Sequence, residues 1–139
     1  MHSTVKWAGD LQFIGESESG HAMVIDGNGG QRAASPMEMV LMAVGGCSSV
    51  DVVSILKKAR QPLTDCQVEL TAERAESAPR VFTHIHLHFV VSGPRDLSEK
   101  QVARAVDLSM EKYCSVALML GKHCPIEHSY ELKLDSENA

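Results

Sequence analysis

The chain has 139 residues, 44% of them hydrophobic and 22% charged, with a formal net charge of −5. This suits one globular domain spanning 1–139, and the lack of any Lys/Arg-rich run excludes a nucleic-acid groove or an anionic membrane surface as partner. No basic stretch with a following apolar run opens the chain, and no apolar run approaches the ~20 residues of a bilayer span, so a soluble, cytoplasmic protein is expected.

The first third reads as strands. Ser3 to Ala8 puts Val5 and Trp7 on one face, Leu11 to Gly15 pairs Leu11 with Phe13, and His21 to Asp26 runs into the turn signal Asp26-Gly27-Asn28-Gly29. The glycines from Gly27 to Gly30 lack the G-x-x-x-x-G-K-[ST] context of a phosphate cradle. Ser35-Pro36-Met37-Glu38 starts a helix, with Ser35 as N-cap and Glu38 as its reciprocal partner. Met39 to Val44 is too apolar for a surface helix. Gly45-Gly46 predicts an interruption, after which Cys47 opens a second helical stretch through Leu56 to Lys57, Lys58 and Arg60.

From Asp65 to Glu73 the period is two, with Cys66, Val68, Leu70 and Ala72 on one face. Its hairpin partner runs from Arg80 to Ser92, placing Val81, Thr83, Ile85, Leu87, Phe89 and Val91 together. Ser98 and Gln101 form a second capping box. Val102, Ala105, Val106, Ser109 and Tyr113 then recur at helical spacing, and the pattern persists through Cys114 to Leu120 and Gly121. A last strand carries Ile126, His128, Tyr130, Leu132 and Leu134 on one face. Strand runs separated by single helices predict an α+β fold with mainly antiparallel sheets. The all-round apolar first helix favours a homodimer, because one small sheet offers too little surface to bury it.

Four cysteines are present and none forms C-x-x-C. In a reducing cytosol they are catalytic, metal-binding or buried thiols rather than bridges. Cys47, placed in a first turn after the glycines, would sit by free N–H groups that favour thiolate; the alternative is a small buried hydrophobe. Cys114, Cys66 and Cys124 fit packing or, for Cys124, a loop position. His84, His86 and His88 share a strand face, and with His123 or Cys124 added they are a candidate zinc or copper set; three ligands in one straight row rarely share a metal, and no metal is expected. Glu38 is a candidate supporting group that its cap already explains. Met37 and Met42 are core fillers or the lining of an apolar pocket.

The segment Ser35-Pro36-Met37-Glu38-Met39-Val40-Leu41-Met42-Ala43-Val44-Gly45-Gly46-Cys47 resembles the approach to the first active cysteine of the OsmC/Ohr family. Lys112-Tyr113-Cys114-Ser115 resembles its second cysteine segment, and the whole chain is most similar to the YhfA-like branch. The resemblance implies an intertwined homodimer of two long central helices wrapped by sheets from both subunits. It implies Cys47 as peroxidatic and Cys114 as resolving thiol, an organic hydroperoxide as substrate, a dithiol as reductant, and no cofactor. Met37 stands where the family's peroxidases have Glu, no Arg occurs between Trp7 and Gly30, and Ser115 stands where Pro is usual. Those differences keep a second reading open: a redox-responsive or small-ligand-binding protein on the same scaffold.

Overall fold

The computed structural model describes residues 1–136. They fall into two compact units, Met1–Met42 and a second that begins at Ala43.

The first unit is an antiparallel meander of β1 (Ser3–Trp7), β2 (Gln12–Ser17) and β3 (Ala22–Asp26). Trp7 pairs with Phe13, and Phe13 with Ile25. Buried Asp26 ends β3 and organises the next loop: it accepts from the N–H of Asn28 at 2.6 Å and of Arg32 at 2.7 Å. The loop leads to α1 (Pro36–Lys58), which starts in this unit. Its capping box is reciprocal: Ser35 N–H donates to Glu38 Oε1 at 3.0 Å, and Glu38 N–H to Ser35 Oγ at 3.2 Å. Gly30, at φ +76°, leaves room for this carboxylate; a Cβ there would sit 2.5 Å from Glu38 Oε1.

The expected interruption of α1 does not occur: the helix runs unbroken for 23 residues. Gly45 serves packing instead. It is buried, and a Cβ would lie 2.7 Å from Leu70 Cδ1 and 3.2 Å from Val68 Cγ1. The glycine brings α1 close to the following strand. Val44, Ser48, Val52 and Leu56 form the buried stripe, whereas Met42 and Val50 remain exposed. The expectation that no segment is apolar enough for a bilayer also fails here, since α1 meets that measure by length and hydropathy. Only the stripe of Val44, Gly45, Ser48, Val52 and Leu56 is buried along it.

The second unit holds a sheet in the order β4-β5-β6, with β4 (Asp65–Arg74), β5 (Phe82–Gly93) and β6 (Ile126–Leu134). β4 and β5 are antiparallel, and Cys66, Val68, Leu70 and Ala72 alternate as half-buried positions. On β5 the core face is Ile85, Leu87, Phe89 and Val91, as predicted, but Phe82 is buried in place of Val81 and Thr83. A register shift at Glu73/Arg74 causes this, because Thr83 is the extra residue of a bulge. β5 and β6 are parallel. Parallel neighbours need a crossover, and the chain supplies α2 (Glu99–Leu108), a π-helical turn (Ser109–Tyr113) and α3 (Ser115–Leu120).

The second predicted helix is therefore the broken one. In an α-helix the stripe passing Ser109 would reach Tyr113, four residues on. In the π turn Cys114 N–H bonds back to the Ser109 carbonyl at 2.7 Å, five residues back. The stripe lands on Cys114, which is fully buried, and Tyr113 is 51% exposed. The capping box at Ser98 is also half made. Its hydroxyl accepts from Gln101 N–H at 3.3 Å, but its own N–H donates to Gln61 Oε1 at 2.9 Å.

Candidate thiol site

Cys47 lies inside α1, not at a helix start, so the free N–H groups expected from its own helix are absent. They come from α3 instead. After the π turn Cys114 adopts extended backbone, φ −73° and ψ 99°, and becomes the N-cap of α3. Its sulfur takes the place of the usual capping oxygen, accepting from Ala117 N–H at 3.4 Å. The next two residues present their backbone N–H groups to Cys47. Ser115 Oγ lies 3.8 Å from Cys47 Sγ.

These contacts set the two thiols apart. Partial burial pushes Cys47 upward, but the N–H of Val116, the thiol of Cys114, the hydroxyl of Ser115 and the N–H of Ser115 outweigh it. The net position is below the ordinary value of 9.0. Burial pushes Cys114 up to about 11, against the Ala117 N–H. Its donation to Cys47 and the negative charges of Cys47 and Asp51 add to the rise. Cys114 is thus the thiol that keeps its proton, beside Cys47 and with the Val44 carbonyl 4.0 Å from its Sγ. All four cysteines are free.

Asp51 and Ser109 brace the pair. Ser109, fully buried, donates to Asp51 Oδ2 at 2.9 Å and lies 3.3 Å from the Ser48 carbonyl. Asp51 carried no motif, and Ser109 read only as one of the apolar-face positions. A cleft of about 620 Å³ is lined by Asp51, Ser54, Ile55, Lys58, Arg104 and Tyr113, among others. This lining is mixed in polarity and includes neither methionine of the expected apolar pocket. Met37 is half-buried at the start of α1 and Met42 is 56% exposed. Glu38 is engaged by Ser35, whose N–H and then hydroxyl hold its carboxyl below the usual range.

The other candidates lie apart from this pair. Cys66 faces Val91 across the strands, and burial, then the charge of Asp65, raises its thiol. Cys124 is buried beyond α3, and burial raises it too. The strand histidines are paired to β6: His84 with Glu127 at 3.5 Å, His86 with Ser129 at 2.9 Å, and His88 with Ser129 at 2.7 Å and Glu131 at 3.2 Å. Among the described residues no group of three or more His, Cys, Asp or Glu is arranged to hold a metal.

Two thiols shifted in opposite directions, one inside a long helix and one capping the break in another, thus sit in an α+β architecture. The OsmC-like protein family model matches residues 27–129. Protein YhfA of Escherichia coli strain K12 is 65% identical over 132 residues, covering 95% of this chain and 98% of that protein. A hypothetical protein from Aquifex aeolicus is 31% identical, with a TM-score of 0.87 and 97% of each chain covered. A Legionella pneumophila structure described as an organic hydroperoxide resistance protein OsmC shares the fold at a TM-score of 0.68 and 14% identity, over 94% of this chain and 97% of that one. This chain belongs to the OsmC/Ohr family, with an OsmC-like α+β fold, and within the family it is similar to YhfA.

Proposed function

We propose that the protein reduces organic hydroperoxides with its own thiols, Cys47 as the peroxidatic and Cys114 as the resolving residue. The observation that carries this reading is the contact between two thiols whose surroundings move them in opposite directions. Such a split assigns a nucleophile and a waiting partner. The thiolate of Cys47 bonds to the terminal peroxide oxygen, the O–O bond breaks, and the alkoxide leaves to become an alcohol on gaining a proton. The sulfur loses two electrons and becomes a sulfenic acid. Cys114 then attacks that sulfur, the S–S bond forms and water leaves. A dithiol reductant resets the pair by exchange. The description of the Legionella relative as a hydroperoxide resistance protein agrees with this chemistry.

The same reading takes the protein as a cytoplasmic homodimer. Exposed Met42 and Val50 of α1 and Leu118 and Met119 of α3 are the apolar surface that a second copy would cover. A second reading, redox response or binding of a small apolar ligand without turnover, is favoured by the missing cation: among the described residues no Arg, Lys or His acts on the Cys47 thiol.

Single-turnover oxidation of the reduced protein by cumene hydroperoxide, with hydrogen peroxide alongside, decides between the two. Fast, selective appearance of a Cys47–Cys114 disulfide supports the peroxidase. Oxidation no faster than that of a free thiol supports the second reading.

A further inference from the structure

We propose that Ser115 is a catalytic residue of this site: its hydroxyl and its backbone N–H are the donors that hold the Cys47 sulfur as an anion and then the oxygen which that sulfur receives. The second half rests on the peroxidase reading above; the first does not.

Four groups of the described residues favour the anion of Cys47, and Ser115 supplies two of them. The others are the Val116 N–H and the Cys114 thiol. With no cation in the set, dipolar donors do the work a guanidinium would do elsewhere. Ser115 is the first residue of α3, so its N–H has no partner within that helix. Its side chain is exposed and makes no other hydrogen bond among the described residues. The neighbouring serines are committed: Ser48 Oγ donates to the Gly45 carbonyl at 3.1 Å and Ser109 Oγ to Asp51 at 2.9 Å.

The geometry suits a moving acceptor. At 3.8 Å the Ser115 Oγ to Cys47 Sγ contact is long, as resting catalytic hydrogen bonds often are. A freely rotating hydroxyl shortens it when sulfur becomes anionic. When the S–O bond forms and the O–O bond breaks, the same hydroxyl can turn to the new oxygen while the alkoxide leaves. The Val116 N–H is fixed in the backbone, and the Cys114 sulfur is already engaged by Ala117 N–H at 3.4 Å.

Three variants of the full chain test the inference, with the pH profile of Cys47 alkylation by iodoacetamide read by peptide mass spectrometry. Ser115→Ala removes one donor and is expected to raise the alkylation midpoint by about one pH unit, slowing alkylation at neutral pH roughly tenfold. Ser115→Pro removes both and raises it further; proline suits a first helical position and the extended backbone at Cys114, so the fold is retained, checked by an unchanged unfolding midpoint. Ser115→Thr keeps both donors and restores the wild-type profile. Unmoved midpoints in the alanine and proline variants overturn the inference, as does a threonine variant that behaves like alanine. A wild-type protein that shows the shifts but fails to reduce cumene hydroperoxide removes the peroxidase reading and the oxygen-holding role, and leaves the anion-holding role in place.

Discussion

Ser109 Oγ donates to Asp51 Oδ2 at 2.9 Å, one α-turn beyond Cys47 and one π-turn before Cys114. The bond therefore locks the two backbones one turn away from each sulfur. It also keeps the Asp51 charge where it raises Cys114. Asp51→Asn is expected to bring the Cys114 midpoint down from about 11, read by alkylation profiles of the variant and the wild type. An unchanged midpoint would leave burial and the neighbouring Cys47 as the causes.

The raised thiol has a consequence for stability. The folded chain holds the Cys114 proton to about 11, above the ordinary value of 9.0. The unfolded chain therefore releases it first as pH rises. The contribution is complete below pH 9 and is lost as pH climbs through 11. Denaturant unfolding from pH 8 to 11 should show a steeper loss for the wild type than for Cys114→Ala.

Removing the resolving thiol should strand the chemistry halfway. In Cys114→Ser, one equivalent of cumene hydroperoxide is expected to give a dimedone adduct on Cys47, one per chain, with no disulfide. Wild type should give the disulfide and little adduct. An equal adduct yield in both would remove Cys114 from the resolving role.

Gly45 is predicted to be intolerant of bulk. A Cβ there meets Leu70 Cδ1 at 2.7 Å and the stiff Val68 Cγ1 at 3.2 Å. Gly45→Val should destabilise by about 1–3 kcal/mol through overpacking, measured by chemical denaturation. It should also slow formation of the Cys47–Cys114 disulfide, because pushing α1 off β4 moves Cys47.

Ser129 joins two imidazoles. The Glu131 carboxylate needs a donor, which assigns the His88 Nε2 as N–H and leaves Nδ1 to accept from the Ser129 hydroxyl. Ser129 Oγ in turn accepts from His86 Nε2–H. Nitrogen NMR should find both rings as Nε2–H tautomers. Ser129→Ala should cost about 1 kcal/mol of stability by leaving His86 Nε2 and His88 Nδ1 without this partner, while His88 keeps Glu131.

Much of this was legible from residue order alone. Period-two runs located β4 to β6, and Ser35 with Glu38 marked the start of α1. The Gly-Gly-Cys approach and the Tyr-Cys segment pointed to Cys47 and Cys114. What was misread followed from tertiary contact. Gly45-Gly46 looks like a break until Leu70 is seen against it, since local sequence does not distinguish a glycine that bends a helix from one that admits a neighbour. The π turn at Ser109–Tyr113 has no compositional mark, so helical spacing chose Tyr113 where the buried position is Cys114. The donors to Cys47 arrive from 68 residues away. The bulge at Thr83 and the Gln61 bond to Ser98 were hidden for the same reason.

The parallel pairing of β5 with β6 makes the Cys114 segment a strap fastened at both ends to adjacent strands. Its sulfur stays tethered within the span of those two strands. On the proposed peroxidase reading, meeting the oxidised Cys47 would be a unimolecular event, and the strap would give Cys114 a local concentration that a free cellular thiol would have to match to compete for the same sulfur. Sheet topology, more than any side chain at the site, thereby favours closure within one chain over capture by a bystander.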